Sequence, residues 1–521
     1  MRYVLIAELL GVSLLGIALL TACLARIRRT WLRRLLLGLS ICAAAVPWAA
    51  GLAGTIAISK LLLSGYEFKV FIASGLLAIV LIGFFILYRN GLKTTPTQTV
   101  IAAAQWSRQK LSLFLLSLLA LTVFTFWNIR LAENQQMIDL MAELRTQSLS
   151  LAPPQISDSQ NAAVLYRQAF SLFKAPTASE DWLEANKKLD KDSEAVIGAY
   201  LNSQKTTLSL LRQAVAKPHC NFGINYATPT FEELSRSAAL GGPLHQAGKL
   251  LNISARFNAY QGRIDEAMKD ISTASALCDH IRSDPKTLHL LVATNIDSIS
   301  IETIEQMLLT KKCSPENFAG LILGEINYSH AFALSLQEEI NWLLSLWNSW
   351  QNDPMMKSDL AFYSAFISLP EVVQDYRRSL QCRQQYASLP FSEAMEKWKE
   401  IDAIKPRNMA ELMASIMLPS LRTAKKVVTK TDAKHRACLL GVAMYRYRAK
   451  YGKYPEHFEQ LTPEFLLTVP MDPFDGKPMR LSKSDKGWVI YSVGPDLVDD
   501  QGSVFNNQSE KGDIAFRLAA P

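Results

Sequence analysis

The sequence predicts a mainly α-helical membrane protein that ends in a small α+β module. Three observations predict it: long uncharged apolar segments within 1–130, helical periodicity with polar faces after them, and short strand-like segments among turn residues near the C-terminus. The predicted domains are a four-helix transmembrane region over 1–130, a helical domain over 131–420 and an α+β module over 421–521. A chain of 521 residues is long enough for several hydrophobic cores.

The transmembrane helices are predicted at about 3–24, 35–58, 70–88 and 111–129. No charged residue lies between Glu8 and Arg26, or within 35–59, 70–88 and 111–129. Each stretch has the roughly 17–25 residues that a helix needs to cross the hydrocarbon core. A soluble protein could bury one such helix, but four in close succession favour a membrane, so the lipid bilayer is the first predicted partner.

The basic excess of the chain belongs to this membrane region. The whole chain carries a net charge of +8, from 55 Lys and Arg against 47 Asp and Glu. Residues 1–130 hold 13 basic and two acidic residues, a net of +11, which leaves 42 basic and 45 acidic residues, a net of −3, in the remainder. We therefore expect no nucleic-acid partner.

The positions of these basic residues predict the orientation. Cytoplasmic loops of membrane proteins are enriched in Lys and Arg. The second loop is nearly neutral, whereas the first and third carry most of the cations: Arg26, Arg28, Arg29, Arg33 and Arg34, then Arg89, Lys93, Arg108 and Lys110. The N-terminus and the large C-terminal region are therefore expected outside the cytoplasm, on a bacterial inner membrane.

The middle of the chain is expected to be almost entirely helical. Small residues at Ala255 and Ala259 and a turn at Gly262 resemble one tetratricopeptide helical hairpin, over 255–277. A solenoid needs about three such units, so a single hairpin is the preferred interpretation. Asp284 and Pro285 have the pattern of a helix cap followed by a first-turn proline.

Catalytic motifs are absent from the sequence. The seven histidines form no H-E-x-x-H pattern, there is no G-x-S-x-G, Walker or G-x-G-x-x-G motif, and the cysteines show no zinc or redox spacing. Glu8 is the sole charged side chain within the membrane segments, which argues against a transporter. The sequence favours a non-catalytic protein, with an envelope enzyme whose site lies unrecognised in the helical domain as the alternative.

An ordered series of motifs lies near the C-terminus. A helix from about Lys425 to Tyr451 ends in Gly452 and Pro455, and a short helical segment follows at Phe458–Leu461. Next come VPMDPFDGKP over 469–478, IYSVGPD over 490–496 and Gly-Asp-Ile over 512–514. Strands are predicted at Val489–Tyr491 and Ile514–Phe516.

This series, over 436–516, resembles the globular domain of the major pseudopilin of type II secretion, in the type IV pilin-like superfamily. The resemblance implies an α+β fold and a calcium-binding loop. Asp496 and Asp513 match acidic ligands of that loop, and Lys511 replaces a further acidic position. Asp499 and Asp500 could supply replacement oxygens, since Ca²⁺ accepts six to eight oxygen ligands in flexible geometry. A turn closed by its own hydrogen bonds is the alternative.

The resemblance does not extend to the pilin assembly segment. The helix before the module has a short apolar stretch, 413–421, followed by Arg422, Lys425 and Lys426. We therefore expect a pilin-like fold without polymerisation. The predicted function is a structural or interaction role in the cell envelope, linked to secretion or pilus-like assembly, with envelope proteins as partners.

Overall fold

The structure is a computed structural model that describes residues 131–174, 189, 191–226, 228–310, 313–318, 326–352, 368–402, 420–484, 487–503, 505–506 and 511–520. The four predicted transmembrane helices lie outside these residues. Of the helices that are described, none combines the length and the apolar character needed to cross a membrane.

The described chain is mainly helical with one small sheet, as the sequence predicts. The helices are α1 (131–150), α2 (Ala162–Leu172), α3 (Lys191–Ser203), α4 (Lys205–Val215), α5 (Phe231–Tyr260), α6 (Ile264–Arg282), α7 (Thr287–Leu309), α8 (Tyr328–Glu338), α9 (Ile340–Asn352), α10 (Leu369–Gln385), α11 (Phe391–Asp402) and α12 (Ser420–Tyr451). Short 3-10 turns lie at Asp158–Gln160, Pro315–Phe318 and Phe458–Leu461. The strands are β1 (Arg480–Ser484), β2 (Gly487–Ser492) and β3 (Ile514–Ala519).

The chain divides into two compact units. One comprises Met1–Ala142, Trp350–Tyr376 and Lys405–Met417, most of it outside the described residues. The other comprises Glu143–Ser349, Arg377–Ile404 and Leu418–Pro521. All sites discussed below lie in this second unit.

Local sequence accounts for several helix ends. Thr230 begins α5 with a capping box, in which its side chain accepts from the Glu233 amide while the Glu233 carboxylate accepts from the Thr230 amide. Gly262 adopts φ +78° between α5 and α6, a left-handed conformation that favours glycine, so the predicted hairpin is present.

One predicted cap is wrong. Helix α7 begins at Thr287, and its N-cap position is Lys286, whose side chain makes no capping bond. Asp284 lies two residues earlier and accepts a hydrogen bond from the Tyr226 hydroxyl instead. A tertiary partner has therefore taken the carboxylate that the local pattern assigned to the helix terminus.

Close helix packing organises the helical part of the second unit. Gly248 of α5 faces Ile296 of α7 so closely that a Cβ at position 248 would lie 2.4 Å from an Ile296 side-chain carbon. The surrounding core draws on α2 to α7 and includes Tyr166, Leu211 and Leu250, each at most 1% exposed. Only glycine permits this approach without displacing a neighbour.

The C-terminal sheet packs on α12. Its order is β1-β2-β3 with both pairs antiparallel, and Ile490 of β2 lies opposite Phe516 of β3. Phe516 sits against Gly441 of α12, where a Cβ would lie 2.4 Å from the ring. The predicted strands over 489–491 and 514–516 are confirmed and extend further, whereas β1 was not predicted.

The C-terminal residues share a hydrophobic core with the helical region. One buried cluster joins side chains of α6 and α7, such as Ile271 and Ile304, to Met444 of α12 and to Ile490 and Phe516 of the sheet. Polar contacts follow the same seam. The Arg517 amide donates to Glu305 of α7 at 2.8 Å, and Lys434 of α12 pairs with Glu302 at 2.8 Å.

Candidate functional site

Asp472, in the turn before β1, binds the C-terminal motif segments to one another. It is 1% exposed, and its Oδ1 accepts from the Phe474 amide at 2.9 Å and the Ser492 hydroxyl at 2.8 Å. Its Oδ2 accepts from the Val493 amide at 3.0 Å and from Arg480 at 2.8 Å. Burial raises the pKa of this carboxyl, and the hydrogen bonds lower it in part. Two motifs that are separate in the sequence therefore meet at one carboxylate.

The four predicted calcium ligands lie in the loop between β2 and β3. Asp496 uses both oxygens on backbone amides, those of Val498 at 3.3 Å and Gly512 at 3.2 Å. Asp499 accepts from the Tyr491 hydroxyl at 3.1 Å and the Gln501 amide at 3.0 Å, and lies 3.4 Å from Arg480. The loop is therefore held partly by its own hydrogen bonds, as expected for the alternative to a calcium site, a turn closed by hydrogen bonds.

Asp513 differs from its neighbours in this loop. It is 1% exposed, and its Oδ2 accepts from the Gly502 amide at 2.6 Å, whereas its Oδ1 is buried and has no hydrogen-bond partner among the described residues. Burial raises the pKa of Asp513, and the negative charges of Asp499 and Asp500 raise it further against the effect of the backbone amides. A cation beside Oδ1 would offset this repulsion.

The side chains of this loop do not form a complete metal site within the described residues. Within the described ranges, no group of three or more His, Cys, Asp or Glu residues is placed to hold a metal ion. Residues 504 and 507–510 of the same loop lie outside those ranges. The fit to calcium therefore depends on the unpaired Asp513 oxygen and on the carboxylates next to it.

A second buried polar cluster, the helix-junction cluster, consists of Tyr226, Asp284, Lys286, His289, Glu338 and Asn341. Lys286 is 7% exposed, and its ammonium lies 2.7 Å from Glu338 and 4.7 Å from the centre of the Tyr226 ring. Asn341 donates to the same Glu338 oxygen at 2.9 Å. Burial raises the pKa of Glu338 to about 7, although Lys286 lowers it.

The other half of the helix-junction cluster centres on Asp284. Its Oδ2 lies 3.0 Å from His289 Nδ1, and its Oδ1 accepts from the Tyr226 hydroxyl. Burial alone would raise the pKa of Asp284, but His289 and Lys286 beside it hold that pKa below its usual value. The cluster is an internal network, and neither of the two cavities described next touches it.

A polar cleft of about 840 Å³ opens among α3, α4, α5 and α6. Its residues are Lys191, Glu194, Ala195, Gly198, Leu201, Asn202, Lys205, Leu208, Arg212, Ser254, Phe257, Asn258, Gln261, Arg263, Glu266 and Lys269. A smaller and more apolar cavity of about 280 Å³ lies among α2, α4 and α5, around Phe170 and Pro243. The larger volume lies in the range typical of ligand sites.

The floor of this cleft is fixed by Asp270, which is fully buried. One Asp270 oxygen accepts from Arg212 at 2.6 and 3.0 Å, and the other accepts from Ser254 at 2.6 Å and Asn258 at 3.1 Å. Asn258 in turn accepts from the Arg263 guanidinium at 2.6 and 3.0 Å. Two arginines are thus held in place by buried acceptors.

Neither the cleft nor the helix-junction cluster was predicted from the sequence. Their residues come from separate helices. The residues of the cleft extend from Lys191 to Lys269 in the sequence, and this separation gives no indication that they lie close together in space. The hairpin pattern was the one available signal, because it places α5 beside α6. The predicted residues Asp496, Asp499, Asp500 and Asp513 do lie within one loop. The role of Asp472, whose carboxylate joins the two neighbouring motif segments, was not predicted.

The chain was compared with known proteins, and no protein-family model, no curated protein and no solved structure matches it.

Proposed function

We propose that this chain is a non-catalytic, membrane-anchored component of the bacterial cell envelope, with a structural or interaction role linked to secretion or pilus-like assembly. The anchor is the predicted four-helix region over 1–130. The envelope proteins that it contacts would meet the large C-terminal region outside the cytoplasm.

The proposal rests on one observation, the architecture of the C-terminal region. A single long helix, α12, supports a three-stranded antiparallel sheet, and Asp472 joins the Asp-Pro turn to the Tyr-Ser-x-Gly segment. This arrangement supports the pseudopilin resemblance drawn from the motif order. Because the same residues share a core with α6 and α7, the region would act as a fixed docking end and not as a released subunit.

Topology is the first test. A reporter that is active outside the cytoplasm, fused after Pro521, should be active, and a reporter active in the cytoplasm should be silent. The matched control is the same pair fused between residues 90 and 108, in the predicted cytoplasmic loop, where the two activities should exchange. Cytoplasmic activity of the Pro521 fusion would refute the envelope assignment.

Interaction is the second test. The tagged full chain, purified from membranes in mild detergent, should retain envelope proteins that are absent from an untagged preparation. The same proteins should be recovered after chemical cross-linking in intact cells. A chain that purifies alone in both experiments would contradict an interaction role.

The acidic loop is proposed to bind Ca²⁺ through Asp513 and Asp496, with Asp499 and Asp500 as further oxygen donors. The support is the buried Asp513 Oδ1 without a partner among the described residues, together with the repulsion from the adjacent carboxylates. A bound cation adds RT ln(1+[L]/Kd) to the free energy of unfolding, or about 2.7 kcal/mol at a hundredfold excess over Kd.

Thermal unfolding of the detergent-solubilised full chain measures this gain. Millimolar calcium should raise the Tm relative to chelator, and magnesium should raise it less, because Mg²⁺ demands a stricter octahedral geometry. Asp513→Asn should abolish the calcium effect, whereas Asp475→Asn, in the neighbouring turn, should retain it. Equal melting in calcium and chelator would leave a loop held by hydrogen bonds alone.

A further inference from the structure

Three features of the polar cleft among α3, α4, α5 and α6 together define a binding surface. Its cations are more numerous than its anions: Lys191, Lys205, Arg212, Arg263 and Lys269 against Glu194, Glu266 and the buried Asp270. The local charge is therefore positive, although residues 131–521 as a whole carry a net negative charge. A cleft of one sign attracts ligands of the other and raises their association rate.

Three lysines at the rim of the cleft present their ammonium groups to solvent. Lys191, Lys205 and Lys269 are exposed, and their ammonium groups form no ion pair or hydrogen bond with any residue that the structure describes. The two arginines are already oriented by Asp270 and Asn258. Pre-oriented guanidinium groups lose little freedom when a carboxylate binds, since their side chains are ordered beforehand.

The remaining groups of the cleft are suited to a peptide. Asn202 and Gln261 are exposed amides, which are groups that pair with a peptide backbone. Gln261 donates to Glu194 at 2.9 Å and accepts from Arg263, which leaves its second amide hydrogen available. Apolar side chains also line the cleft between these polar groups. They are 5–9% exposed, and they are Leu201, Leu208 and Phe257.

From these groups we infer that the cleft binds an acidic peptide segment of a partner protein. Its carboxylates would lie on the rim lysines and the two arginines, and its apolar side chains against Phe257 and the two leucines. This goes beyond the envelope role proposed above and does not depend on it. An inorganic polyanion would use the cations alone, and it would have no use for the amides and the apolar strip.

A direct binding measurement tests the inference. The probe is a fluorescent peptide of about six residues in which Glu alternates with Leu, with both ends blocked, and its extended length is roughly 20 Å. The control peptide has Gln at every Glu position. The full chain in detergent should bind the Glu peptide at least about tenfold more tightly than the Gln peptide, and added salt should reduce that difference.

Paired charge reversals locate the site. Lys205→Glu with Lys269→Glu should weaken binding of the Glu peptide by about tenfold or more, since it replaces two attractive rim charges by repulsive ones. The matched control, Lys453→Glu with Lys477→Glu, makes the same change of net charge on exposed lysines outside the cleft and should leave the affinity unchanged. Both double variants should retain the wild-type Tm, because these four ammonium groups pair with no described residue.

Three results would overturn the inference. One is equal affinity for the Glu and Gln peptides. Another is an equal loss of binding in the two double variants, which would mean that the peptide responds to net charge alone. The third is competition by inorganic polyphosphate at the same molar concentration as the Glu peptide, which would assign the cleft to polyanions in general. None of these results bears on membrane topology or on the recovery of envelope partners.

Discussion

Asp472 in the C-terminal region and Glu338 in the helical region are both buried, but their partners differ in kind. Asp472 receives two backbone amides, one hydroxyl and one guanidinium, all from within 474–493. Glu338 receives the ammonium of Lys286, 52 residues away in sequence, and the amide group of Asn341. The first carboxylate is held mainly by the geometry of a turn and a strand end, and the second by the packing of separate helices.

The difference bears on both stability and predictability. Backbone amides cannot change protonation or leave, so their hydrogen bonds favour the ionised form of a carboxylate. A carboxylate that depends on one buried ammonium is sensitive to the loss of that partner and to pH. We therefore expect the amides to favour an ionised Asp472, against the burial that raises its pKa, and Glu338 to change its charge near neutral pH.

Removal of Asp472 should produce the largest effect. Asp472→Ala leaves the amides of Phe474 and Val493 without their acceptor and removes the most buried of the carboxylates that pair with Arg480. Breaking such a buried pair costs about 3–5 kcal/mol. Asp475→Ala, which removes a less buried partner of the same Arg480, should cost about 1 kcal/mol. Urea unfolding of the solubilised chain measures both. Similar small costs for the two variants would refute the central role of Asp472.

The pH dependence of stability should report on Glu338. Its pKa is about 7 in the folded protein and 4.5 in its ordinary state, so the folded protein binds the proton more tightly. The stabilisation from this group is complete below pH 4.5 and is lost as the pH rises through 7. The loss amounts to about 3 kcal/mol at most, at about 1.36 kcal/mol per pKa unit.

Glu338→Gln isolates that contribution, because glutamine keeps an acceptor for Lys286 but does not titrate. The free energy of unfolding of the wild type, minus that of the variant, should fall between pH 4.5 and 7. Asp472, whose pKa is also raised, remains in both proteins and cancels in this difference. A difference that stays constant over the same range would show that Lys286 keeps Glu338 ionised throughout.

The two carboxylates also show where prediction from the sequence succeeds. The Asp-Pro turn and the Tyr-Ser-x-Gly segment are local motifs, and the strands at Val489 and Ile514 were predicted because each pattern fits within a few residues. Their meeting at Asp472 was not predicted, because it depends on how the turn before β1 folds against the end of β2. The hairpin at Gly262 was predicted for the same reason, since a turn glycine and small helix residues lie within one short stretch.

The features that were not predicted correctly depend on partners that are distant in the sequence. Asp284 was predicted as a cap from its neighbour Pro285, but Tyr226 and His289 reach it through packing. β1 carries Arg480 and Lys483 and has little apolar alternation, so it is specified by its pairing with β2 and not by its own residues. The cleft cations belong to separate helices and a turn, and sequence spacing contains no information on how those elements pack.

Two glycines test whether the regions being compared unfold as one. Gly441→Ala drives a Cβ to 2.4 Å from the Phe516 ring in the C-terminal region, and Gly248→Ala does the same against Ile296 in the helical region. Each overpacked contact should cost about 1–3 kcal/mol. Gly241→Ala is the matched control, because its Cβ would meet Val292 at an ordinary 3.5 Å, and alanine should stabilise the helix by up to about 1 kcal/mol.

The shared core predicts the form of the result. Since buried residues of α6, α7, α12 and the sheet belong to one cluster, Gly441→Ala and Gly248→Ala should lower the midpoint of the same single transition in calorimetry. If Gly441→Ala instead split off an early transition, followed by one unchanged from the wild type, the C-terminal region would be an independent domain. The ion pairs of Lys434 with Glu302 and Arg517 with Glu305 would then be surface contacts of an interface that opens on its own.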